Sequence, residues 1–180
     1  MNRRPQWARA WRDVVLALAL DDESAKHARK ITRQAGVEAV EIRPGNASAV
    51  VRDRGTSYPV RWKMPTLTEG AWDRLGAELL HRPLAVVGLL RENDTSPLEE
   101  DLADVLDDLI PSGHLLDASC GCDDWIAPCR HALAVGTAIA DVIEADVWKL
   151  FELRGRTRNW LIEIDAAARA DRLLRDAGYR

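Results

Sequence analysis

The chain has 180 residues, of which 47% are hydrophobic and 30% charged, so it is long enough to bury its own core without needing a metal or disulfide merely to hold it together. Its longest apolar run, residues 14–20, is too short to span a bilayer and no signal-peptide cleavage site is evident, so we expect a cytoplasmic protein. The net charge of −4 is divided into +6 over residues 1–63, −11 over 64–128 and +1 over 129–180, which argues against one uniform nucleic-acid-binding surface but allows a local basic patch.

The first third of the chain predicts two helices followed by a small sheet. Apolar residues at helical spacing indicate helices over residues 6–20 and about 25–34, with Ser24 as a candidate cap of the second. Two interpretations stay open for the basic side chains of the second helix, an ordinary solvated face or a phosphate contact: Lys26, Arg29, Lys30 and Arg33. Short β-rich runs separated by "RPGN" and "DRGT" predict a three-stranded antiparallel meander over residues 37–63.

The remainder of the chain is predicted to be mainly helical. Helices are expected over 67–82, from Pro83 to about Arg91, and over the acidic stretch 98–110. A turn and a short strand then lead into the cysteine-containing stretch 119–135. Three further helices are predicted after the cysteines, over about 129–144, 146–153 and 157–177. Most tryptophans fall at core positions of these elements, namely Trp7, Trp11, Trp62, Trp72, Trp148 and Trp160.

We therefore predict an α+β protein, with N-terminal helices and a small antiparallel β-meander followed by a helical zinc-binding module. The predicted organisation has four parts: a helix and meander region at 1–91, an acidic helical connector at 92–112, a zinc module at 113–158 and a C-terminal helix at 159–180.

All three cysteines of the chain lie within "SCGCDDWIAPCRHALAV", together with one of its four histidines. The donors are spaced C-x-C-x6-C-x-H and are Cys120, Cys122, Cys129 and His131. Three thiolates and one imidazole are the ligand number and type of a closed, structural zinc site. Arg130, between two of these donors, offsets the negative charge of three thiolates around a divalent ion.

Residues two apart do not converge on one ion from a regular strand or helix, so the backbone must depart from both. We expect Gly121 to do this for the first pair, because glycine adopts backbone conformations closed to other residues. Pro128 is expected to mark the beginning of a helix, which places Cys129 at its start and His131 in its first turn.

Other uses of these residues stay open. A disulfide is disfavoured by the odd number of cysteines, whereas a catalytic Cys129–His131 pair assisted by Asp124, an acid/base pair of His114 and Asp117, and simple burial of the thiols are all conceivable. A site closed by four protein ligands leaves no open position for water, and the sequence contains no phosphate-binding glycine-rich loop, HExxH or GxSxG. We therefore predict that the protein is not an enzyme.

The C-x-C-x(n)-C-x-H pattern resembles the SWIM zinc finger, and "CGCDDWIAPCRHALAV" is similar to the bacterial branch of that family. The similarity extends to "LFELRGRTR" at 150–158, to "WARAWRDVVLAL" and to "YPVRWKMPTLTEGAWDRL". Asp123 departs from the proline usual in that branch, and the acidic middle segment is shorter than usual. Neither difference affects a ligand.

The resemblance implies a binding module with one structural zinc ion, whose partner is DNA or protein. We expect a DNA-binding or DNA-associated accessory factor, and the candidate contacts are Arg130, Arg154, Arg156, Arg158 and Trp125. The alternative is a protein–protein adaptor for a SWI/SNF-type helicase or a similar partner. Neither a membrane nor a small-molecule substrate is expected.

Overall fold

The computed structural model describes residues 6–92 and 108–179. Within these ranges the chain forms seven α-helices and one four-stranded antiparallel sheet, which agrees with the predicted α+β class. The elements before residue 93 are α1 (Gln6–Ala17), α2 (Asp22–Arg33), β1 (Val37–Arg43), β2 (Asn46–Asp53), β3 (Thr56–Lys63), α3 (Glu69–Leu80) and α4 (Pro83–Glu92). Those after residue 107 are a short 3-10 helix (Gly113–Leu115), β4 (Asp117–Cys120), α5 (Arg130–Ala145), α6 (Trp148–Arg154) and α7 (Arg158–Asp176).

The second helix begins earlier than predicted. The carboxylate of Asp21 accepts a hydrogen bond from the backbone N–H of Ser24 at 2.7 Å, so Asp21 and not Ser24 caps α2. A capping carboxylate satisfies one of the N–H groups that the first helical turn leaves free. Ala25, Ala28 and Ile31 are the buried residues of α2.

The sheet contains the predicted meander and one more strand. Tight turns join β1 to β2 and β2 to β3, with Gly45 and Gly55 at φ +68° and +83°, backbone conformations that favour glycine. The predicted short strand before the cysteines, β4, pairs antiparallel with β3 and places Cys120 opposite Val60. The order β1-β2-β3-β4 therefore brings the end of the cysteine-bearing strand beside the meander.

Helix α5 lies at the centre of the hydrophobic core. Residues 131–140 are all buried, because α1 and α2 cover one part of the helix and the sheet another. Two buried indoles donate hydrogen bonds of 2.9 Å to its backbone carbonyls, Trp11 to Gly136 and Trp62 to Ala132. A Cβ atom at Gly136 would lie 2.5 Å from Cγ1 of Val15, so glycine allows the close packing of α1 on α5.

The predicted tryptophan positions agree with the core. Trp7, Trp11, Trp62 and Trp72 are at most 3% exposed, and Trp148 and Trp160 are partly buried and pack near Phe151. One core cluster contains residues from Trp7 to Leu161, so the predicted regions 1–91 and 113–158 pack together.

Most of the predicted acidic connector, 92–112, lies outside the described residues, as does most of the acidic helix predicted over 98–110. Its last residues, 108–110, form a turn. Across the described ranges, we find no helix with the length and apolar character needed to span a membrane.

Candidate metal centre

The four predicted donors converge at the junction of the sheet and the central helix. Cys120 is the last residue of β4, and Cys122 lies in the turn that follows. Cys129 is the N-cap of α5, and His131 is the second residue of that helix. The site is thus built from a strand end, a loop and a helix start, so its module is not helical throughout.

The ligand atoms lie within 4.8 Å of one another. The sulfur atoms of Cys122 and Cys129 are 3.5 Å apart, and Nδ1 of His131 is 3.8 Å from the sulfur of Cys120. All three cysteines are free thiols, and His131 is 2% exposed. The group is therefore compact enough to hold one metal ion.

These separations fit a tetrahedral site. With metal–sulfur bonds of about 2.3 Å and metal–nitrogen bonds of about 2.0 Å, tetrahedral donors lie roughly 3.6 to 3.8 Å apart. The contacts of Cys122 with Cys129 and of Cys120 with His131 are close to those separations. Only small side-chain movements are needed to place all four donors around one ion.

Burial makes the thiols weaker acids when no metal is bound. Removal from water, followed by the neighbouring thiols, raises the pKa of Cys120 to about 12. Burial likewise raises the pKa of Cys129. A divalent cation held by the four donors would lower these pKa values, because it stabilises thiolates directly.

His131 is held by two residues of the meander that the sequence analysis did not identify. Oδ2 of Asp53, at the end of β2, lies 3.1 Å from Nε2 of His131. The ring of Tyr58, on β3, stacks on the imidazole with centroids 4.4 Å apart and planes at 15°. A hydrogen bond from Nε2–H to the carboxylate leaves Nδ1 with its lone pair toward the cysteines, the tautomer that a metal requires.

Asp53 is in the ionised form that this role needs. Burial raises its pKa, but the hydrogen bond with His131 and the positive charges of Arg130 and Arg54 outweigh burial, and the net effect is a lowered pKa. Nε of Arg130 is 3.7 Å from Oδ2 of Asp53. Arg130 is thus next to Asp53, and its role in offsetting thiolate charge around a metal ion stays a prediction.

Gly121 acts differently from the prediction, whereas Pro128 stands at the beginning of the helix as expected. Gly121 does not adopt a positive φ; it is small because a Cβ atom there would lie 3.0 Å from Cδ of Pro59, across the sheet. Its N–H donates to the carbonyl of Pro59 at 2.9 Å, which prolongs the pairing of β4 with β3. Pro128 directly precedes Cys129, the N-cap of α5.

Three of the four arginines predicted as partner contacts also make contacts within the protein, in addition to Arg130. Arg154 is 4% exposed, and its guanidinium donates to the backbone carbonyls of Pro65 and Asp108. Arg156 forms an ion pair with Glu69, and Arg158 donates to the carbonyl of Leu90. Burial removes Arg154 from any phosphate-binding surface, whereas Arg158 remains exposed.

Trp125 is the exception among the tryptophans. Its side chain, in the loop between Cys122 and Cys129, is 87% exposed. The indole therefore projects into solvent instead of covering the cysteines. Of the alternative acid/base residues, His114 and Asp117 are both exposed, and no hydrogen bond joins them in the described part of the chain.

Comparison with known proteins gives one distant relative. The chain is 27% identical over 145 residues to Rv2102, an uncharacterized protein of Mycobacterium tuberculosis, a match that covers 79% of this chain and 52% of the relative. The chain thus spans about half the length of the curated relative it matches. No protein-family model matches the chain. No solved structure matches it either.

Proposed function

We propose that the chain binds one structural zinc ion through Cys120, Cys122, Cys129 and His131. The observation that carries this proposal is the convergence of four donor atoms within 4.8 Å of one another. Three sulfurs and an imidazole suit zinc better than calcium or magnesium, which prefer oxygen ligands. Four protein donors complete a tetrahedral shell, so we infer a binding protein and not an enzyme.

The proposed centre is a SWIM-type finger. Support comes from the C-x-C-x6-C-x-H pattern and from the position of its two halves, one at the end of a strand and one at the start of a helix. In this arrangement a metal ion would join β4 to α5. The contact of Asp53 with His131 also connects the β2–β3 turn to the metal centre.

The proposed role of the module is association with DNA. Support comes from charge, because residues 1–63 carry +6 in a chain whose net charge is −4. Local clusters of Lys and Arg neutralise backbone phosphates and release counterions, which gives affinity without sequence specificity. A zinc-stabilised scaffold would hold such a cluster in a fixed geometry.

Metal content of the purified full chain tests the zinc proposal. We expect about one zinc per chain by elemental mass spectrometry, and loss of the metal in Cys122→Ala. Ser119→Ala is the matched control, because Ser119 is exposed beside the cluster and is not one of the four converging donors. A wild-type protein that is folded and free of metal would overturn the proposal.

Binding of a fluorescent DNA duplex tests the proposed role. Fluorescence anisotropy should detect binding of the zinc-loaded chain at about 50 mM NaCl, weakened by at least about tenfold at about 200 mM. Absence of binding at the lower salt concentration would leave the zinc module without this role.

One observation favours a second candidate, an adaptor for a helicase-like protein. Trp125 presents an 87% exposed indole in the ligand loop, and exposed tryptophans are frequent binding anchors. A partner retained by the wild-type chain and lost with Trp125→Ala would support this function. Equal retention by both chains would exclude the indole as the anchor.

A further inference from the structure

The outer face of α2 carries four basic side chains, Lys26, Arg29, Lys30 and Arg33. Their spacing of three, four and seven residues places them on one side of the helix, and all four are exposed. Ala25, Ala28 and Ile31 of the same helix are buried in the core. We call these four side chains the α2 basic row.

The described part of the chain does not neutralise the α2 basic row. None of the four cations has a carboxylate within ion-pair distance in residues 6–92 and 108–179. By contrast, Arg12, Arg130 and Arg156 each have a carboxylate partner. The row is therefore a locally positive surface on a chain of net negative charge.

A cleft of about 200 Å³ lies beside the row, between α2 and α5. It is lined by Arg12, Arg29, Thr32, Arg33, Thr137 and Asp141. Arg12 and Asp141 pair with each other at 2.6 Å, so Asp141 is already compensated. Arg29 and Arg33 are left as uncompensated donors at this cleft, and the planar guanidinium fork suits a phosphate group.

We propose that the α2 basic row is the surface that contacts the phosphate backbone of DNA, with one phosphate bound by Arg29 and Arg33 at the cleft. This inference rests on the proposed DNA association and assigns its surface. Residues 26 to 33 span about 10 Å of helix axis, more than the axial rise of about 3.4 Å per phosphate of one DNA strand, so the row is long enough to contact more than one phosphate. A lone phosphate ion would use only the cleft, which is why a polymer is the better fit.

The row is connected to the metal centre through α5. The hydroxyl of Thr32 on α2 donates to the carbonyl of Ala134 at 3.2 Å and lies 2.9 Å from the hydroxyl of Thr137. Ala134 is one turn after His131, so the helix that carries the metal ligand also supports the row. A zinc ion bound by His131 would act on this surface only through α5, by positioning it, without contacting the DNA.

The test compares two variants that lose the same charge. The row variant contains Lys26→Gln, Arg29→Gln, Lys30→Gln and Arg33→Gln. The control contains four changes at exposed residues outside α2: Arg61→Gln, Lys63→Gln, Arg172→Gln and Arg175→Gln. Both are used as full, zinc-loaded chains, and equal zinc content and melting temperature establish that they fold as the wild type does.

Binding to a duplex of about 25 base pairs is measured by anisotropy between about 50 and about 200 mM NaCl. The row variant should bind at least about tenfold more weakly than the control, and its plot of log affinity against log salt should be less steep by about 3 units. Wild-type binding with equal losses in both variants would overturn the α2 assignment alone. No binding by the wild type would overturn the DNA role together with it, and wild-type binding to anionic vesicles without binding to the duplex would do the same.

Discussion

Asp53 and His131 are 78 residues apart in the chain, yet Oδ2 of Asp53 lies 3.1 Å from Nε2 of His131. This contact joins the turn of a β-hairpin to the first turn of the central helix. It also fixes which nitrogen of His131 faces the cysteines, and so prepares the ligand before any metal arrives.

We expect Asp53→Ala to lower zinc affinity by about 10- to 100-fold, because the imidazole loses the partner that orients it. Competition with a chromophoric chelator measures the change. Asp123→Asn is the matched control, since it removes one carboxylate charge within the ligand loop and should have little effect. Equal affinities of Asp53→Ala and Asp123→Asn would show that the contact does not support the ligand.

Removal of zinc should loosen the chain first around the ligands. After chelation we expect amide hydrogen exchange to rise in residues 117–133, while the buried middle of α5 stays protected longest. The N–H of Gly121, which donates to Pro59, is a useful single probe of the β3–β4 junction. Restoration of protection by zinc but not by magnesium would complete the test, and unchanged exchange on chelation would contradict it.

Gly136→Ala should destabilise the protein by about 1–3 kcal/mol, because the added methyl group would lie 2.5 Å from Cγ1 of Val15. Gly70→Ala is the matched control: it is also helical, its added methyl group meets only the end of Arg74, and alanine there should be neutral or stabilising by up to about 1 kcal/mol. Urea denaturation compares the two. Similar effects of both substitutions would show that α1 can move away from α5 at little cost.

Arg154→Met should reduce the free energy of unfolding by about 1–3 kcal/mol, since it leaves the carbonyls of Pro65 and Asp108 without their donor. Its effect on DNA affinity should be small, because the side chain is buried. Arg169→Met serves as the control, because Arg169 forms an exposed pair with Asp165 and such pairs contribute little. A stable Arg154→Met variant with weakened DNA binding would contradict this prediction and show that Arg154 takes part in DNA binding.

The convergence of the four donors could be predicted because their pattern is local. Cys120 and His131 are only 11 residues apart, so spacing alone limits what they can form. Asp53 and Tyr58 could not be found in this way, since only the pairing of β4 with β3 brings the meander to the cysteines. The "DRGT" turn was recognised as a turn, but nothing in the sequence near Asp53 indicates its partner.

The helices and strands were largely predictable from periodicity, and their tertiary roles were not. Arg154 has the same sequence character as Arg158, yet one is buried between two carbonyls and the other is exposed. Gly121 shows the same limit, because its close approach to Pro59 depends on strand register. Charge and spacing indicate which side chains could contact a partner. Packing decides which of them remain on the surface to do so.

The local spacing of the four ligands also limits how much zinc can stabilise the fold. An unfolded chain keeps C-x-C-x6-C-x-H intact and can still bind the ion, so zinc favours folding only by the ratio of its affinities for the folded and unfolded chains. The contacts that create this ratio are the long-range ones, from Asp53, Tyr58 and the strand that pairs with β4. Each tenfold in that ratio corresponds to about 1.4 kcal/mol, so under the proposed zinc binding the hairpin residues, more than the spacing of the cysteines, would set how strongly metal supply controls the folded population.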